Sequence, residues 1–147
     1  MTEPHARADF PALRTITTRW DDEDIYGHVN NVVYYSFFDT AVNGYLLDTT
    51  GLDIRGLDAV GLVAETQCTF ERELRFPVDV QVGLAVSKLG TSSIVYHLGL
   101  FQGDTDEPAA IGRFVHVYVN AATREVTPIP PAIAAAVTPL VFEADPV

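Results

Sequence analysis

The chain is short of positive charge. Its 147 residues carry nine lysines and arginines against twenty aspartates and glutamates, for a formal net charge of −11. That balance disfavours a nucleic-acid binder, and equally a protein held on anionic membranes by charge alone. It leaves room for a phosphate-bearing ligand gripped by a few local cations. Only Lys88 among those cations is a lysine, so such a grip falls mainly to arginine, whose planar fork matches phosphate oxygens. Cysteine is scarcer still. Cys68 stands alone, which excludes an intrachain disulfide and a cysteine-rich zinc site. No run approaches the eighteen or so consecutive apolar residues of a membrane span, and the first residues, Met1 to Arg7, lack the apolar stretch of a signal peptide. The four serines, Ser36, Ser87, Ser92 and Ser93, never fall in a Gly-x-Ser-x-Gly elbow. No His-Glu-x-x-His run and no glycine-rich phosphate loop is present. The expectation is a cytoplasmic protein with no cofactor, no metal, no nucleic-acid partner and no membrane.

What is present is core. Apolar residues make up 48% and charged residues 20%, enough to bury one domain spanning residues 1–147. Residues 1 to 12 read as a flexible arm with two prolines, ahead of a core over about residues 14–140. Arg14 to Trp20 is rich in strand formers. From Val32 to Leu47 apolar residues recur at helical spacing, with Asn30 or Asn31 as the natural N-cap and Gly51 as the stop. This helix is apolar on most sides, so it needs wrapping. Four two-residue repeats follow: Leu62 to Phe70, Val78 to Val86, Ile94 to Leu100 and Ile111 to Val119. Short links join all four, Arg75-Phe76-Pro77, then Leu89 to Ser92, then Gly103 to Pro108, which implies that each is the antiparallel neighbour of the next. Ala132 to Val137, behind Pro130 and Pro131, reads as a final short helix. The sum is an α+β fold: a five-stranded antiparallel sheet wrapped around a long central helix.

The segment between the first strand and the helix carries the chemistry. Asp22, Asp24, Gly27, His28, Val29, Asn30 and Asn31 form Asp-x-Asp-x-x-Gly-His-Val-Asn-Asn, running into Tyr34 and Tyr35. This resembles the signature of hotdog-fold acyl-CoA thioesterases, in particular the 4-hydroxybenzoyl-CoA thioesterase family, and the resemblance extends over roughly residues 14 to 140. It implies the hotdog fold and hydrolysis of an acyl-CoA or acyl-carrier thioester to free acid and thiol. It also implies Asp24 as the catalytic carboxylate and Asn31 as the point where the helix offers a backbone N–H to the thioester oxygen. A homodimer or homotetramer with the site between subunits follows from the same likeness.

Elementary chemistry suits those roles. Thioester hydrolysis builds negative charge on the carbonyl oxygen, and a helix N-terminus supplies free N–H donors and a partial positive charge. A carboxylate in the preceding turn then either attacks the carbonyl or activates a water. Gly27 lets the backbone pass close to a ligand. His28 is a second candidate for the site, with a purely structural hydrogen-bonding role as the alternative. Asp22 suits orienting the loop, and Asn30 suits capping the helix. Tyr26, Asn30 and Tyr34 are candidate substrate-binding residues, although the tyrosines serve equally as core. In relatives of this kind the turn matching Lys88-Leu89-Gly90-Thr91-Ser92-Ser93 borders the CoA, which makes Lys88, Gly90, Thr91, Ser92 and Ser93 candidates too, with Arg72, Arg75 and Arg113 as other phosphate partners. His97 and His116 read as core or face residues, and Cys68 as a small buried apolar residue. The competing functions are a non-catalytic hotdog module that binds acyl groups and, behind it, a hotdog hydratase or dehydratase.

Overall fold

Asn30 and Gly51 bracket the main helix for the reasons their chemistry suggests. The Asn30 side chain accepts the Val32 N–H, and Gly51, at φ 68°, sends its own N–H back to the Leu47 carbonyl. Between them α1 runs Asn31–Thr50. The computed structural model describes residues 3–142. The remaining elements are β1 (Ala12–Ile16), β2 (Ala59–Phe70), β3 (Val80–Leu89), β4 (Ser93–Gln102), β5 (Ala110–Asn120) and a short α2 (Pro131–Val137). The five strands make one antiparallel sheet in the order β1-β3-β4-β5-β2, so β2 does not neighbour β3 as the short link suggested: the chain crosses from one side of the sheet to the other between them, through the buried Leu74. One face of the sheet curls against α1, which is the hotdog arrangement. At 20 residues, α1 is about 30 Å long, matching the ten-residue β3 and β4 it crosses.

The core is the seam between that helix and sheet. Phe37, Phe38, Val42 and Leu46 of α1 pack on Val82, Leu84, Leu98, Leu100 and Phe114. In β5 the helix-facing set is Phe114, His116 and Tyr118, with Phe38 meeting Phe114 edge-on at 5.6 Å. Val115 and Val117 are left half-buried on the other face. β1 stops at Ile16, short of the expected Trp20, because Trp20–Asp22 tightens into a 3-10 turn closed by the Asp22 carboxylate on the Arg19 N–H at 2.7 Å.

Two features depart from the sequence-based expectation. β3 and β4 are buried on both faces rather than one. The outer face is covered by the N-terminal arm, which lies flat on it instead of fraying, and by Phe142, which packs with Phe10, Ala85 and Phe101. Gly83 and Gly99 sit opposite each other in the β3–β4 ladder, and a side chain at either would strike the Phe10 ring, at 2.5 Å for Gly83 and 2.9 Å for Gly99. Their bare backbones form the slot that Phe10 fills, at 6% exposure. His97 stacks on Phe10 at 5.6 Å and reaches Glu3 through Nδ1 at 2.9 Å. Arg7 donates to Gln81 and to the Gly103 carbonyl. The second departure is β2, an edge strand exposed along most of both faces. Leu62, Val63 and Phe70 stand 43–49% exposed.

Two stability outcomes follow. Phe10→Ala empties the Gly83–Gly99 slot and is expected to cost about 3 kcal/mol in urea unfolding, as other buried phenylalanine truncations do. His116, 3% exposed, is held by burial below its ordinary 6.5, with Asp39 opposing the shift. The unfolded chain therefore binds a proton below pH 6.5 that the folded chain refuses, and stability falls as pH drops through that window. Unfolding of wild type and His116→Phe between pH 7 and pH 5 checks this: the variant should show the shallower decline.

Candidate active site

The Asp-rich segment folds into a tight turn locked to the start of α1. Its anchor is Asp22, 1% exposed. One Asp22 oxygen accepts the Arg19 N–H at 2.7 Å, and the other accepts Arg19 Nε and Nη2 at 3.1 and 2.9 Å. The Asp22 carbonyl also accepts the Asn30 N–H at 2.8 Å. A buried carboxylate with that many donors is satisfied, so its geometry is fixed. Its role is structural.

Asp24 differs. It is half-buried, and its Oδ1 accepts only the Tyr26 N–H, at 2.9 Å. The backbone closes around it: Asp24 N–H donates to the His28 carbonyl and Gly27 N–H to the Asp24 carbonyl, each at 3.1 Å. Gly27 sits at φ 82°, a left-handed conformation that a side chain would strain. A bridge between Glu23 and Val29 completes the loop. The turn thus presents one lightly bonded carboxylate immediately ahead of a helix start. Asn30 caps the Val32 N–H with its side chain, and its carbonyl takes the Val33 N–H at 2.9 Å. The exposed Asn31 is the first helical residue.

Beside that end of α1 lies a groove of about 300 Å³ lined by His28, Val29, Asn31, Tyr34, Phe70, Glu71, Arg72 and Glu73. Its floor is apolar. Tyr34 meets Phe70 edge-on at 4.9 Å and donates its hydroxyl to the Arg72 carbonyl at 3.2 Å. Burial raises the Tyr34 hydroxyl above its ordinary 10.0, so it stays a neutral donor. His28 edges the groove, with Nε2 3.8 Å from a Glu73 carboxylate oxygen and Nδ1 3.3 Å from the Val29 carbonyl. Burial pushes the Cys68 thiol up to about 11, leaving about one thiolate per thousand at pH 8. Cys68 is no nucleophile at neutral pH.

Of the motif residues, His28, Asn31 and Tyr34 line the groove; Asp24 and Gly27 are bonded to each other and to His28 within the turn, and Asn30 caps the helix, without lining the groove. The structure does not bring Tyr26 inward, which stands 77% exposed on the turn. Nor does it bring Lys88, Gly90, Thr91, Ser92 and Ser93 there within one protomer. That hairpin joins β3 to β4 at Leu89 and Ser93, whereas the turn is tied to the opposite end of the same strands. Gln102, the last residue of β4, exchanges hydrogen bonds with Arg75, and Arg75 Nη1 donates to the Gly27 carbonyl at 2.6 Å. Ten strand residues separate the two ends, about 33 Å. The three arginines suggested for phosphate are each engaged by a glutamate: Arg72 by Glu107, Arg75 by Glu73 and Arg113 by Glu65. Among the described residues no group of three or more His, Cys, Asp or Glu side chains could hold a metal ion, and no helix is long and apolar enough to cross a membrane.

The residues that motif reading passed over are those supporting the turn from the loop after β2. Leu74 is fully buried and takes the Val29 N–H on its carbonyl at 2.9 Å. The Phe76 N–H goes to the Glu23 carboxylate at 3.1 Å. A lone leucine inside Glu71-Arg72-Glu73-Leu74-Arg75 was the one available signal of a buried contact.

Residues 18–137 match the family model of the thioesterase-like superfamily. A crystal structure of a Pseudomonas aeruginosa PAO1 protein is similar at 44% identity, covering 97% of this chain and 100% of that one, with a TM-score of 0.91. A second Pseudomonas aeruginosa protein is similar at 31% identity over 88% of this chain and 99% of that one, with a TM-score of 0.80. A Synechocystis 1,4-dihydroxy-2-naphthoyl-CoA thioesterase shares the fold at 15% identity, over 85% of this chain and 93% of that one, with a TM-score of 0.78.

The two carboxylates of the turn are separable by experiment. Asp22→Asn removes a buried charge from the Arg19 donors and is expected to destabilise by about 1–3 kcal/mol. Asp24→Asn keeps an oxygen for the Tyr26 N–H and should leave stability within about 0.5 kcal/mol. Urea unfolding of both variants reads the contrast.

Proposed function

The chain belongs to the thioesterase-like superfamily and is a thioester hydrolase; from that premise we propose that it cleaves acyl-CoA thioesters at the Asp24 turn, with Asp24 as the catalytic carboxylate. One observation carries the reading. A carboxylate with a single hydrogen bond lies in the turn that leads into a 20-residue helix, and His28 of that turn lines an apolar-floored groove at the helix start. That pairing matches what the reaction demands. As the thioester carbonyl becomes tetrahedral, its oxygen gains negative charge, and the Asn31 N–H and the helix dipole stabilise it. His28 and Tyr34 flank the acyl group, and Asn30 keeps the helix end open by spending its side chain on the Val32 N–H.

Two routes use the same geometry. In one, Asp24 attacks the carbonyl carbon, the C–S bond breaks, CoA leaves as the thiolate, and water then hydrolyses the mixed anhydride. In the other, Asp24 takes a proton from a water that attacks the carbonyl directly, and CoA leaves in the same way. The second Pseudomonas aeruginosa neighbour carries a provisional thioesterase name, which is in line with either route.

The full site on this reading needs a second copy of the chain. β2 is a 12-residue edge exposed on both faces, a liability that pairing removes. A twofold axis between two β2 strands sets them antiparallel, which turns the second copy's strand ends around. The Lys88–Ser93 hairpin of that copy then lies at the end where this copy holds Asp24, so CoA-binding roles for Lys88, Gly90, Thr91, Ser92 and Ser93 fit in trans. Exposed apolar side chains near the turn, Ile25, Tyr26 and Val32 at 68–92%, are what such a contact would cover.

The decisive variant is Asp24→Asn. Thiol release from a panel of aromatic, short and long acyl-CoAs is expected to fall about 100-fold or more for every substrate that wild type turns over. A variant that keeps the wild-type rate removes Asp24 from the chemistry.

A further inference from the structure

A second cavity, of about 210 Å³, lies under β2 where it faces the later turns of α1, with Asn43, Leu46, Leu57, His116, Tyr118 and Ile133 among its walls. Asn43 follows Asn31 by twelve residues, about 18 Å along the helix, so within a protomer the cavity is separate from the groove at the Asp24 turn. Its polar content is unusual for the inside of a sheet. His116 is 3% exposed and its Nε2 is buried without a hydrogen-bond partner. Behind the imidazole, outside the cavity lining, the Tyr96 ring packs at 5.2 Å between centroids and leaves Nε2 facing no side-chain partner. Buried polar atoms in native proteins are almost always satisfied, so the unpartnered His116 nitrogen beside open volume asks for something to occupy that volume.

The walls specify the occupant. Leu46, Ile54, Leu57, Val60 and Ile133 make most of the lining apolar, and no carboxylate is among the lining residues. The one cation at the rim, Arg55, is already held by Asp53 at 2.9 Å. Neither an anion nor a cation finds its counter-charge there. Burial keeps the His116 ring neutral at pH 7, and a neutral imidazole offers one donor and one acceptor. A hydroxyl is the small group that answers both. The volume is well above the roughly 30 Å³ share of a single water and below the roughly 300–1,000 Å³ of drug-sized sites. Backbone shape protects it too: a Cβ on Gly61 would come within 2.9 Å of the Tyr118 ring.

We propose that this cavity is a binding site for a small neutral alcohol, whose hydroxyl bonds the His116 ring while its hydrocarbon body packs on Leu46, Leu57 and Ile133. In the twofold arrangement proposed above, this end of β2 lies toward the second copy's turn, but every wall of the cavity comes from one protomer and its test needs no turnover.

The test is a methyl NMR titration of the full chain with two near-isosteric probes, cyclohexanol and fluorocyclohexane. Cyclohexanol should shift the Leu57 and Ile133 methyls saturably, with an apparent Kd at least about tenfold below that of fluorocyclohexane, because the latter leaves the imidazole unpaired. His116→Phe should erase that preference, and Gly61→Ala should weaken both probes by pressing on Tyr118. Asp24→Asn should bind cyclohexanol as wild type does. Equal affinity of the two probes for wild type overturns the proposal, as does the lack of a saturable shift at Leu57 and Ile133. So does a preference that survives in a folded His116→Phe, or binding lost in Asp24→Asn. The wild-type comparison stands even where a variant fails to fold.

Discussion

The Asp22 carboxylate holds the turn ahead of α1 in place. It is buried, it takes three N–H donors from Arg19, and its own carbonyl takes the N–H of Asn30. Those bonds fix where the chain enters α1, and therefore where the first free N–H of the helix points. With Asp22 satisfied internally, Asp24 two residues on is left with one hydrogen bond and room to act. On the proposed reading, two carboxylates in one short segment thus hold different offices because their donors differ. The loop after β2 braces the turn from the other side through Leu74, Arg75 and Phe76.

What was legible in the sequence was local. Asn30 and Gly51 announced the ends of α1 because capping depends on residues within a turn. The alternating segments announced strands because period two is a property of consecutive residues. The placement of the N-terminal arm was illegible. Phe10 is held by Gly83 and Gly99, glycines that in sequence look like weak points in two strands and become a slot only once β3 and β4 are paired. The burial of β3 and β4 on both faces follows from that same arm together with Phe142. At the candidate site His28, Asn31 and Tyr34 line one groove, whereas the Lys88–Ser93 hairpin lies at the far end of the sheet. No pattern within one chain says which copy of a hairpin borders which turn.

An exposed edge strand and a half-furnished groove are two views of one condition. β2 leaves its backbone open along 12 residues, and the cations expected to hold phosphate within the protomer are engaged by glutamates. On the proposed reading both are answered by a twofold-related copy, which closes the edge and brings Lys88 to the turn. The acidic surface, at −11 overall, then matters less than the local field at the helix start, since a partial positive charge at close range outweighs a diffuse negative average screened by salt.

The most direct test is a crystal structure of the protein with an acyl-CoA analogue in which a methylene replaces the thioester sulfur, giving an unreactive ketone. The account predicts the ketone oxygen within about 3 Å of the Asn31 N–H, with the carbonyl carbon facing the Asp24 carboxylate directly or across one water. A ketone bound elsewhere, or one whose oxygen takes its hydrogen bonds from groups other than the start of α1, would contradict it.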